Sequence, residues 1–202
     1  MTTSTDPILI QRLTRYAAAA ATCADRYAKV FYPAIRNADE KFVCCVHGGE
    51  DMDHYLKAAD VLHGFGVDLT GLVDRPLGKR GLPGADVLEG ARSWTERAVF
   101  SAMFEQALVI LLQSLADSAH QAIAKVVGFA LPREEKHVAH GLTLLRQACS
   151  SPETRQEAQA MVQRMLPVAL AVLDADEARA ALVEKLRVDL TPLGLSVSDG
   201  IH

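Results

Sequence analysis

Two residue pairs in this sequence have the spacing of metal ligands carried on helices: Asp51 with His54, and Glu134 with His137. Residues three apart on an α-helix share a face, so each pair would aim a carboxylate and an imidazole at one point. Carboxylate oxygen and neutral imidazole nitrogen together suit divalent transition metals. A fifth residue, Glu105, stands within the apolar run Ala102, Met103, Phe104, Ala107 and Leu108. A carboxylate on a core-facing stripe is costly unless it meets a cation. The chemistry this set predicts is therefore metal-assisted, with Asp51, His54, Glu105, Glu134 and His137 as ligands.

The two halves of the set are unequal. The offset that separates Glu105 from Glu134, counted back from Asp51, falls at Thr22, between Ala21 and Cys23. No carboxylate stands there. The nearest acid is Asp25, about one turn along, which would reach the site only from a shifted or rotated helix. The trio Glu105, Glu134 and His137 should accordingly bind metal more tightly than Asp51 and His54. His47, seven residues before His54, shares roughly its face and is a candidate extra ligand or a partner of a ligand. Glu50 and Glu135 read as solvated neighbours. Gly48-Gly49 inside a helix would mark a π-bulge or a close helix contact.

The elements that must position these residues are all helical. Half of the 202 residues are hydrophobic but only 5% are aromatic, and the excess is mainly alanine and leucine, strong helix formers. No stretch alternates in the manner of a strand. Asp6-Pro7 starts a first helix running to about Tyr32, where Pro33 bends or ends it. A second should span Asp39 to Leu62. The glycines and prolines between Phe65 and Gly90 predict a long connecting loop. Ser93-Trp94-Thr95-Glu96 fits a capping box for a third helix reaching about Asp117. Ser118 would cap a fourth, broken or kinked near Leu131 by Pro132 and resuming through Arg146. Ser151-Pro152 opens a fifth and Asp174 or Asp176 a sixth, fading by Thr191-Pro192. The expectation is one all-α domain over 1–202, four long helices in two antiparallel pairs plus additional C-terminal helices, with flexible or extended ends at about 1–6 and 192–202.

Charge and composition narrow the functions. With 21 Lys and Arg against 25 Asp and Glu, the chain has no basic field to hold a phosphate backbone, so nucleic acid is not an expected partner. No apolar run is long enough to cross a bilayer, and the polar start does not read as a secretory signal. Cys23, Cys44, Cys45 and Cys149 lack zinc-like spacing and read as reduced core thiols, which places the protein in the cytoplasm. There is no Gly-x-Gly-x-x-Gly for a flavin or nicotinamide.

Gly49-Glu50-Asp51-Met52-Asp53-His54, then Glu105, then Arg133-Glu134-Glu135-Lys136-His137-Val138-Ala139-His140-Gly141 resemble the ferritin-like di-iron family of phenylacetic acid catabolism. That family contains the catalytic subunit of phenylacetyl-CoA epoxidase. Gly66-Val67-Asp68-Leu69 and Val73-Asp74-Arg75-Pro76 look like its inter-pair loop, and the resemblance spans about residues 17–194. It implies a ferritin-like four-helix bundle and iron as cofactor, two ions or one if the first half is incomplete. It further implies an O₂-dependent monooxygenase or epoxidase acting on an aromatic acyl thioester or similar small aromatic substrate. Electrons would come from an external reductase, and the protein would be a homodimer or a hetero-oligomer with a homologue. Arg75, Lys79 and Arg80 would then contact substrate phosphates such as those of coenzyme A. The sequence departs from the family in its first helix, which has no glutamate, and at Asp51, where the family has glutamate. A metal-free structural subunit paired with a catalytic homologue is the alternative reading. A tRNA hydroxylase is a third, disfavoured by the acidic balance.

Overall fold

Alanine and leucine build the scaffold much as composition predicts. A computed structural model describes residues 6–198, and among them no strand forms. Helix α1 spans Pro7–Arg26, capped by the Asp6 carboxylate, which accepts from the Ile8 N–H at 2.9 Å. Its run Ala17 to Ala21 is buried throughout, and these small side chains let α2, Ala38–Gly64, lie close against it. Between the two, the chain passes through a π-helical segment, Tyr27–Phe31, and a short turn at Tyr32–Ala34. The wide turn thus belongs to the end of the first helix and not to Gly48-Gly49, which lie in regular α-helix. Gly48 instead makes the close contact: a Cβ there would sit 3.0 Å from Tyr27 Cβ.

The second pair consists of α3, Trp94–Gln113, and α4, Gln121–Ala148. Ser93 and Glu96 form the expected capping box. Helix α3 is buried almost all round and packs most extensively on α4 and on α5, Pro152–Val172. The α3–α4 contact is intimate at Gly141, where a Cβ would lie 2.5 Å from Ser101 Cβ and 2.7 Å from the Ala102 nitrogen. The expected break at Pro132 does not occur, because α4 runs through it without interruption. Packing against α3 on both sides of the proline holds the helix, and Arg133 donates to the Phe129 carbonyl at 2.6 Å beside the interruption. His120, not Ser118, is the cap residue of α4.

Facing residues show the direction of each pair. Tyr16 meets His54 while Tyr27 meets His47, and Ser101 meets Gly141 while Glu105 meets His137, so both pairs are antiparallel. Helix α6, Asp176–Leu190, packs on α3, and Arg12 ties α1 to Asp174 at 3.1 Å just before α6. Thr191–Leu193 form a 3₁₀ turn where an extended tail was expected. Residues 1–5 and 199–202 of the expected flexible ends lie outside the described residues. The long connection is not loose. It forms 3₁₀ turns at Leu72–Asp74, Leu77–Lys79 and Ala85–Glu89 and buries Leu72, Leu77, Leu82, Ala85 and Leu88.

Candidate metal centre

Helix α2 contributes Asp51 and His54, α3 contributes Glu105, and α4 contributes Glu134 and His137. All five side chains meet inside the bundle with no exposed surface. His54 Nδ1 lies 3.1 Å from Glu134 Oε1 and 3.8 Å from Asp51 Oδ1. His137 Nδ1 faces the same point, 3.5 Å from Asp51 Oδ1, 3.8 Å from Glu134 Oε2 and 3.9 Å from Glu105 Oε1. Two donor sets emerge, one of Asp51, Glu134 and His137 and another of Cys23, Asp51 and Glu105, each with its ligand atoms within 4.8 Å of one another. Asp51 belongs to both. The sequence grouped Asp51 with His54 as the weaker-binding half, and the ligand-atom distances bring Asp51 into both sets.

Six polar atoms of this cluster are left without a hydrogen-bond partner. Both Asp51 oxygens, Glu105 Oε2, Glu134 Oε2, His137 Nδ1 and His54 Nε2 are buried and make no hydrogen bond. Buried carboxylates in native proteins are paired, hydrogen-bonded or metal-bound. Burial pushes the Asp51 and Glu105 carboxyls well above the usual carboxylate range. Glu134 pushes both in the same direction, and Tyr27 and Arg97 offset the rise at Glu105 only in part. Burial likewise drives the His137 imidazole below its ordinary value, so it sits neutral with a free lone pair. Three acidic side chains and two imidazoles gathered in one dry cluster are a donor set for divalent cations, and the residues present could hold a metal ion.

An outer layer orients the cluster. Glu50 Oε2 accepts from His137 Nε2 at 2.9 Å, leaving Nδ1 directed inward. Glu50 is therefore half-buried and engaged rather than solvated, and Arg133 lies 3.5 Å from its other oxygen. Tyr16 donates to Glu134 Oε1 at 2.9 Å and Tyr27 donates to Glu105 Oε1 at 2.7 Å. His47 occupies this outer layer too. It stacks on His137 with ring centroids 3.9 Å apart and lies 3.4 Å from the Tyr27 hydroxyl. Burial, then His137, His140 and Arg97, press its pKa down to about 2.

Two of the sequence candidates are engaged elsewhere. Asp25 does not turn toward the cluster, because its carboxylate pairs with Arg80 and with Lys29, the latter at 3.0 Å. Arg80 is no free phosphate contact either. Its buried guanidinium bonds Asp25, the Ala21 carbonyl at 3.2 Å and the Val73 carbonyl at 2.6 Å, clamping the long loop onto α1. Arg75 and Lys79 remain exposed. Sequence reasoning also missed Cys23, Tyr16 and Tyr27. The available signal was their shared stripe on α1 at successive helical intervals.

A family model described as phenylacetic acid catabolic protein matches residues 59–192. The chain belongs to the phenylacetic acid catabolic protein family. The matched span carries Glu105, Glu134 and His137, while Cys23, Asp51 and His54 precede it. No curated protein matches this chain. Among the described residues no helix is long and apolar enough to cross a membrane.

Proposed function

We propose that this member of the phenylacetic acid catabolic protein family is an O₂-dependent di-iron oxygenase of a small aromatic substrate, an aromatic acyl thioester being the best match. The observation that carries the reading is the set of unpartnered donor atoms on Asp51, Glu105, Glu134 and His137, buried together with the His54 imidazole, whose Nδ1 lies 3.1 Å from Glu134 Oε1. These five residues would hold the metal, and Asp51 belongs to both donor sets. Iron bound there supplies the redox chemistry that reduces O₂.

The protein's own groups prepare that site. Tyr16 and Tyr27 fix one oxygen each of Glu134 and Glu105, leaving the second oxygen of each carboxylate free to turn inward. Glu50 fixes the His137 tautomer, and buried helix faces keep bulk water out. Beside the centre lies a mostly apolar pocket of about 400 Å³, lined by Ala24, Tyr27, Ala28, Gly48 and Met52. Tyr27 forms part of the wall between this pocket and Glu105. The pocket has the size and polarity for an aromatic acyl group. Asp25 borders both this pocket and a groove lined by Arg26, Lys29 and Arg75 together with Asp74 and Glu89, whose cations would meet thioester phosphates. Electrons come from a separate reductase. The free cysteines suit a cytoplasmic protein.

The second reading is a structural subunit bound to a catalytic homologue. The exposed stripe of Phe42, Val46 and Leu56 on α2 favours it, since such a stripe fits a partner helix. The discriminating experiment supplies iron, a chemical reductant and an aromatic acyl thioester to the purified chain. Substrate-dependent O₂ uptake that disappears in Glu134→Ala supports the oxygenase. Absence of uptake together with absence of bound iron supports the structural subunit.

A further inference from the structure

The first helix reaches the metal centre with a sulfur atom. Tyr16, Ala20, Cys23 and Tyr27 follow one another at helical spacing along a single stripe of α1. Both ends of that stripe are fixed on the centre, since Tyr16 bonds Glu134 and Tyr27 bonds Glu105. Cys23 lies between them, fully buried, with Sγ within 4.8 Å of ligand atoms of Asp51 and Glu105. The neighbouring Thr22 is not on this stripe, and its hydroxyl is occupied by the Ala18 carbonyl at 2.8 Å. Asp51 Oδ1, Asp51 Oδ2 and Glu105 Oε2 are buried and make no hydrogen bond.

We propose that Cys23 is a metal ligand, its thiolate completing the donor set of Asp51 and Glu105 in the place where α1 offers no carboxylate. The proposal rests on the metal-binding reading above. Charge supports it. Three carboxylates carry three negative charges, one fewer than two divalent ions require, and a thiolate supplies the fourth. Coordination replaces the S–H bond by a sulfur–metal bond, the proton leaves to solvent, and no electron is transferred. A thiolate is also a softer ligand than any other in the cluster, so the Cys23 half of the site should favour softer ions than the Glu134–His137 half.

The test loads the metal-free full-length chain with zinc(II) under anaerobic conditions and records X-ray absorption at the zinc edge. Cys45→Ser is the background, since Cys45 is exposed and would bind zinc adventitiously. A sulfur shell at about 2.3 Å is expected in Cys45→Ser. It should be lost when Cys23→Ala is added, while oxygen and nitrogen scatterers remain. Zinc bound with only oxygen and nitrogen scatterers in Cys45→Ser overturns the sulfur ligand and leaves the metal site standing. A sulfur shell that survives Cys23→Ala also overturns it. If no zinc binds, both the ligand assignment and the metal reading fall. Cys23→Ser, closer in size, repeats the test should the alanine variant lose helix content.

Discussion

Replacing Asp51 by Asn should make the metal-free protein more stable and the metal-loaded protein less stable, so that the two forms change rank. Asp51 is fully buried with both oxygens unpartnered. An orphaned buried polar group costs about 1–3 kcal/mol. Burial, reinforced by Glu134 and Glu105, holds its carboxyl well above the usual range, so the ionised form is costly without a cation. Asn has the same shape, no charge, and an N–H₂ group that can donate to the carboxylates of Glu134 and Glu105. The gain of about 1–3 kcal/mol corresponds to a rise in Tm of roughly 2–12 °C for a chain of this size. Metal at a thousand times its Kd stabilises the native state by about 4 kcal/mol, and the variant forgoes most of it because Asp51 is common to both donor sets. Thermal melts followed by circular dichroism, in chelator and in excess metal, read both effects. A variant that melts below wild type in chelator would refute the reasoning, since Asp51 would then be stabilising the apoprotein by contacts of its own.

Other consequences follow from neighbouring contacts. Glu50→Ala removes the acceptor that orients His137 and should weaken metal binding about 10–100-fold; a metal titration giving unchanged affinity would show that His137 is held by packing alone. Gly141→Ala should cost about 1–3 kcal/mol in urea unfolding through its clash with Ser101 and Ala102, more than the roughly 1 kcal/mol that helix propensity returns. A stabilised variant would contradict that close approach of α3 and α4. Asp25→Asn removes the carboxylate partner of buried Arg80 and should cost about 1–3 kcal/mol, since the Ala21 and Val73 carbonyls still accept from the guanidinium. Burial alone would raise the Asp25 carboxyl, but Lys29 and Arg80 outweigh it and hold it below the ordinary value. Its contribution is therefore present above the ordinary carboxylate range and lost as pH falls through the lowered value. Wild type should lose stability over that window and the variant should not, as urea unfolding across pH would reveal.

Much of this architecture was written in local signals. Asp6-Pro7, the Ser93–Glu96 capping box and Ser151-Pro152 each act within one turn of chain, so these helix starts can be read without tertiary knowledge. Spacing also singled out Asp51, His54, Glu105, Glu134 and His137, because a carboxylate and an imidazole three apart on a buried stripe have few other uses. What escaped depended on contacts between helices. Pro132 was expected to kink or break α4, and packing against α3 keeps the helix unbroken. The π segment sits at Tyr27–Phe31, displaced from the glycines that seemed to announce it, since Gly48 was answering the bulk of Tyr27 on the facing helix. Glu50 and Arg80 carry charges that local pattern assigns to solvent, and only the fold places a histidine beside one and an aspartate beside the other. Cys23 looked like an ordinary core thiol because buried cysteine is common, and its two tyrosine neighbours on α1 gave the one hint of its direction.

Metal content of the purified chain, measured after anaerobic loading with iron(II) and desalting, tests the central claim most directly. The account predicts two tightly held ions per chain in wild type and loss of most of the metal in both Glu134→Ala and Asp51→Ala, with helix content unchanged. Wild-type protein that retains no iron, or retains as much as the doubly substituted Asp51→Ala/Glu134→Ala chain, would contradict it.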